Sequence, residues 1–111
     1  MTDDEFRALA LGMPEATERS HHGFPSWRVR GKIFATMPEP GAANVMADEG
    51  VIREAVAENP AWCHERWWGK RLAALTVDLG PADDVVVREV VAEAWRRKAP
   101  AHVVRAHPDV G

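Results

Sequence analysis

The stretch SWRVRGKIFATM, residues 26–37, constrains this chain more than any other: apolar and polar or basic residues alternate on either side of Gly31. Alternation with period two marks a half-buried strand, and a glycine between two such runs supplies the positive φ of a tight turn, so the stretch predicts an antiparallel β-hairpin. Two registers compete. A two-residue loop at Gly31-Lys32 groups Trp27, Val29 and Phe34 on one face and leaves Arg28 and Arg30 beside Ile33 and Ala35. A three-residue loop, Arg30-Gly31-Lys32, gathers Trp27, Val29, Ile33, Ala35 and Met37 on one face with Arg28 and Phe34 opposite. The second separates apolar from polar side chains more cleanly and is the expected register.

Helices are signalled on both sides of the hairpin. Thr2-Asp3-Asp4-Glu5 reads as a capping box, Phe6, Leu9, Ala10 and Met13 form one apolar stripe, and Gly12 and Pro14 end the helix. After a loop over 38–44 and a short strand over 45–47, Asp48 caps a second helix with Val51, Ile52, Ala55 and Val56 on its apolar side, stopped by Asn59-Pro60. Residues 72–79 alternate as a strand, and residues 61–71 pair with it as a strand running into a turn near Gly69. The last helix follows Gly80-Pro81, is capped by Asp83 or Asp84, and turns Val87, Val90, Val91, Ala94 and Trp95 inward; Arg96-Arg97-Lys98 close it before Pro100. This order predicts an α+β domain with an antiparallel sheet over residues 1–100 and a C-terminal tail over 101–111.

At 111 residues the chain is long enough for one domain with its own core. It offers no apolar run of membrane-spanning length, and its start, MTDDEFRALA, is acidic where a signal peptide is basic. Cys63 is the single cysteine, so no intramolecular disulfide forms, and a cytoplasmic location is expected. A net charge of −3 means that any nucleic-acid role needs basic residues gathered on one face against an acidic remainder.

Metal and catalytic chemistry find little support. His21-His22 and Cys63-His64 are adjacent pairs that point to opposite faces of a strand, and the familiar zinc spacings are absent. Cys63 lacks a recognisable base, and no phosphate-binding loop, dinucleotide fingerprint or nucleophile elbow is present. No metal, cofactor or catalytic residue is expected, and the chain reads as non-enzymatic. The run Arg96-Arg97-Lys98 is accounted for by the helix dipole.

Two aromatic–basic clusters remain: Arg28, Arg30, Lys32 and Phe34 on the hairpin, and Trp67, Trp68, Lys70 and Arg71 around Gly69. Two consecutive tryptophans cannot both face one core, so one indole is left to line a pocket or an interface.

The pattern Gly23, Pro25, Trp27, Arg28, Val29, Gly31, Lys32 and Phe34, with Trp67–Lys70 and the helix through EAWRRKAP, resembles the MmcQ/YjbR-like proteins over about residues 3–100. The resemblance implies a compact domain with a curved antiparallel sheet, similar to secretion chaperones and loosely to frataxin-like proteins. It also implies DNA binding, by the family's label. On these grounds nucleic acid is the expected partner, with Arg28, Arg30, Lys32, Lys70 and Arg71 meeting phosphates and Trp68 stacking on a base. The alternatives are a small-molecule pocket lined by Trp62, Trp67 and Trp95, with His22 or Arg28 fixing a polar group, and a protein-interaction adaptor.

Overall fold

The capping chemistry written in the sequence closes as expected. The Glu5 N–H donates to Thr2 Oγ1 at 3.1 Å while the Thr2 N–H donates to Glu5 Oε1 at 2.9 Å, and helix α1 (Asp3–Leu11) follows, burying Phe6 and Ala10. A computed structural model describes residues 1–110 of the chain. Asp48 Oδ2 accepts from the Gly50 N–H at 3.0 Å and starts α2 (Glu49–Glu58). Asp83, the first of the two candidate caps, accepts from the Val85 and Val86 N–H groups and starts α3 (Asp84–Lys98).

Six strands, β1 (Ala16–His21), β2 (Phe24–Val29), β3 (Lys32–Glu39), β4 (Ala42–Val45), β5 (Cys63–Trp68) and β6 (Arg71–Asp78), form one sheet in the order β1-β2-β3-β4-β6-β5, every pair antiparallel. With its helices at the N-terminus, middle and C-terminus, the domain is α+β. Phe6, Trp27, Phe34, Ile52, Leu75, Val91 and Trp95 meet in one core between sheet and helices. Trp27 sits edge-on to Phe6 at 5.4 Å between ring centroids, and its indole N–H reaches Glu18 Oε1. The Trp95 N–H donates to the Pro14 carbonyl at 2.9 Å, tying α3 to the chain that leaves α1.

The central hairpin takes neither expected register. Val29 pairs with Lys32 around a two-residue turn, Arg30-Gly31, whose φ values of 50° and 80° are those of a type I′ turn. Arg28 then faces Ile33, Trp27 faces Ala35, and Phe34 is the extra residue of a β-bulge. The bulge lets Phe34 and Ala35 both go inward, each fully buried. Ile33 therefore joins Arg28 on the face away from the helices, and Phe34 joins the core, the reverse of the expected placement. The turn tolerates Arg30 in left-handed backbone because its twist matches that of the flanking strands, and clean face separation was achieved by the bulge instead of a longer loop.

Three further segments differ from expectation. β1 carries no apolar alternation because it is an edge strand, exposed along most of its length. The loop expected over 38–44 is a tight turn at Pro40-Gly41, which places β4 at Ala42–Val45 and not at 45–47. Ala42 and Ala43 are small enough to lie buried there without advertising a strand. Residues 101–106, expected as tail, form α4 (Ala101–Ala106) with Val103 buried, and Arg96 holds the segment beyond it through the Val110 carbonyl at 2.9 Å. No helix among the described residues is long and apolar enough to cross a membrane.

Candidate nucleic-acid interface

β4 is the shortest strand, and its end creates the site. Val45 pairs with Ala35 of β3 and Leu75 of β6; past it the chain turns off through Met46 and Ala47 to cap α2. The first residues of β3 and β6 lie beyond the end of β4, where Met46 alone continues beside β3, its N–H donating to the Phe34 carbonyl at 2.9 Å. Both strands bulge at this level, β3 at Phe34 and β6 at Ala73, where the register slips between the Arg66–Ala74 and Trp67–Leu72 pairs. Bulges re-aim side chains and recur beside binding sites.

A cleft of about 760 Å³ opens in this gap. Arg28, Lys32, Arg66, Arg71, Arg97 and Lys98 line it, six of the chain's 14 Lys and Arg residues gathered in a protein of net charge −3. Among the described residues no carboxylate lies within ion-pair distance of any of the six; the arginines that make ion pairs, Arg7, Arg30 and Arg53, lie elsewhere. The two acids on the cleft wall are otherwise engaged. Asp48 caps α2, and Glu49 binds Arg53 at 2.8 Å. Two of the cations are held by neutral acceptors: Arg28 Nε donates to Ser26 Oγ at 3.3 Å and Arg97 Nη1 donates to the Met46 carbonyl at 3.2 Å. Burial lowers the affinity of Lys98 for its proton, and Arg97, Arg71 and Lys32 lower it further by repulsion.

Trp68 stands on the cleft wall with its side chain half exposed, and the Arg71 guanidinium lies 5.5 Å from its ring centroid. Trp67, one residue earlier on the same strand, faces the other way. Its N–H bonds Glu65 at 3.1 Å and Arg53 of α2 covers its ring. The two tryptophans thus divide between the faces of the sheet, as adjacent strand residues must.

Of the residues singled out from sequence, the fold brings together Arg28, Lys32, Trp68 and Arg71. It separates Arg30, which turns to Glu15 at 2.6 Å, and Lys70, which sits exposed in the β5–β6 turn outside the cleft. The tryptophans of the alternative pocket are dispersed: Trp62 and Trp95 are buried in the core and Trp67 lies against α2, while His22 occupies the β1–β2 turn at φ 52°. Its neighbour His21 lines the cleft, with its pKa lowered by burial and by the adjacent His22 and Arg28 charges.

Sequence reasoning missed Arg66, Arg97 and Lys98. Arg66 was readable, since it shares strand parity with Trp68 and so shares its face. Arg97 and Lys98 were not, because only the packing of α3 brings its last turn to the starts of β3 and β6.

No three His, Cys, Asp or Glu side chains among the described residues are grouped to hold a metal. Burial pushes the Cys63 thiol up to about 11, and the Asp78 carboxylate adds to the shift. At pH 8 about one thiol in a thousand is then ionised, so Cys63 is expected to react with Ellman's reagent at least ~100-fold more slowly in the folded protein than in urea. Equal rates in the two states would show that the strand end opens freely.

No curated protein and no solved structure matches the chain. The family model described as YjbR does, over residues 11–97, a span containing the central hairpin, both bulges and five of the six cleft cations, Lys98 following immediately. The chain belongs to the YjbR family.

Proposed function

We propose that this domain binds nucleic acid in the cleft between β3 and β6, with phosphates on the cations and a base against Trp68. The observation that carries the reading is the collection of six cations without carboxylate partners around one opening that also presents an exposed indole. Three cations outside the cleft, Arg7, Arg30 and Arg53, are neutralised by surface ion pairs. The cleft cations have no such neutralisation, so an anion entering the site gains their attraction without breaking existing pairs. A single strand suits the site better than a duplex, because the charges line a recess in place of a ridge and because Trp68 needs an unstacked base as its partner.

The recess also has a volume in the range of small-ligand sites, which favours a nucleotide-sized anion as the second reading.

Tryptophan fluorescence tests the proposal. Trp27 and Trp95 are fully buried and Trp62 nearly so, leaving Trp67 and Trp68 as the reporters open to a ligand. In a Trp67→Phe background, single-stranded DNA is expected to quench the remaining exposed indole at micromolar concentrations. The salt slope is expected to be about −3, the value for some four phosphate contacts on a single strand. An unchanged spectrum at low salt, with no binding by an independent method, would overturn the reading.

A further inference from the structure

The six cations are not spread evenly along the cleft. Lys32 at the start of β3, Arg71 at the start of β6, and Arg97 with Lys98 in the last turn of α3 line the end of the cleft where both strands begin, and the other three repel the Lys98 charge. The negative end of the α3 dipole, worth about half a charge, offsets only a fraction of four. An internal phosphodiester brings one negative charge to such a point, whereas a phosphomonoester brings −1.5 to −2 at neutral pH together with three acceptor oxygens. Two arginine forks and two ammonium groups suit the second better.

The backbone borders the same end: the Met46 N–H donates to the Phe34 carbonyl at 2.9 Å and the Met46 carbonyl accepts from Arg97, so the chain leaving β4 lies against the cleft there.

We infer that the end of the cleft where β3 and β6 begin is a site for the terminal phosphomonoester of a nucleic-acid strand, held by Lys32, Arg71, Arg97 and Lys98. The inference rests on the nucleic-acid reading above and adds that the protein recognises a phosphorylated end.

The test compares three short oligothymidylates of one length, ending in a 5′-hydroxyl, a 5′-phosphate or a 3′-phosphate, by fluorescence titration at fixed salt. At least one phosphorylated strand is expected to bind about tenfold more tightly than the hydroxyl-ended strand, because its extra charge meets four cations at short range. Lys98→Gln is expected to reduce that preference to about twofold, the phosphorylated strand losing clearly more affinity than the hydroxyl-ended one. Lys70→Gln, outside the cleft, is expected to change neither. Equal affinity for all three strands overturns the inference and leaves the nucleic-acid reading standing; no binding of any strand overturns both. Thymidine monophosphate competing as well as the phosphorylated strand would also overturn it, since the site would then hold a free nucleotide and not a strand end.

Discussion

The double variant Arg66→Glu/Arg71→Glu is expected to lose about 100-fold in affinity for single-stranded DNA, roughly tenfold for each reversed position. Its salt slope should flatten by about 1.4, the contribution of two lost phosphate contacts on a single strand. The informative comparison is Arg30→Glu/Lys70→Glu, which carries the same net charge, −7 by four units from −3, but alters residues outside the cleft. If long-range attraction to the whole protein drove binding, the two variants would weaken it alike. If the cleft does, the second variant keeps its affinity within a few-fold of the parent and keeps its slope. Arg30 already spends its charge on Glu15, and both positions are exposed, so neither substitution disturbs the core. Equal losses in the two variants would reject the cleft as the binding site.

Trp95→Ala is expected to have the largest effect on stability, a loss of about 3–5 kcal/mol. The side chain is fully buried, packs within the common core and lies edge-on to His107 beyond α4. Its removal leaves a large cavity and strips the Pro14 carbonyl of its donor. Against a total of about 5–15 kcal/mol for a domain of this kind, such a loss is a large share of the whole, and urea unfolding should show a midpoint shifted well down with its slope nearly unchanged. Trp95→Phe keeps much of the volume but not the hydrogen bond, and should cost about 1–2 kcal/mol. A Trp95→Ala protein within about 1 kcal/mol of the parent would mean that α3 is not anchored as described. The consequence reaches the cleft, because α3 delivers Arg97 and Lys98 from its last turn.

Local chemistry was legible wherever a few neighbouring residues complete an interaction among themselves. Thr2 with Glu5, Asp48 with the Gly50 N–H, and Asp83 with the N–H groups that follow it each close within three residues, and each marks its helix correctly. The turns around Gly31 and Gly69 were legible for a related reason, since positive φ at a strand reversal singles out glycine. β1 was not legible. An edge strand with both faces largely wet has no hydrophobic period to read, and its pairing with β2 is visible only once β2 is in place.

The site divides along the same line. Trp67 and Trp68 had to part to opposite faces because consecutive strand residues always do, and Arg28, Lys32, Trp68 and Arg71 could be nominated from composition around two turns. Which of the nominated residues share a surface depended on two bulges, at Phe34 and Ala73, that no period in the sequence announces. At Phe34 the bulge lets two consecutive residues be buried, and a one-residue slip reassigns every side chain beyond it. Arg30 and Lys70 lie in the two turns outside the cleft, and Glu15 pairs with the first of them from another part of the chain.

From the sequence alone came the α+β class, the helix caps, the two basic–aromatic hairpin turns and the resemblance to the family to which the chain belongs, since all of these rest on contacts a few residues apart or on a pattern of residue types. The tertiary structure alone decided that β4 stops short, that β3 and β6 stand apart beyond it, and that the last turn of α3 arrives there with Arg97 and Lys98. Those cations come from segments up to 70 residues apart, Arg28 to Lys98. The elements that carry them are held together by a core that includes Trp95, Phe34 and Leu75, and the energy of a core is not written at any one position of the chain.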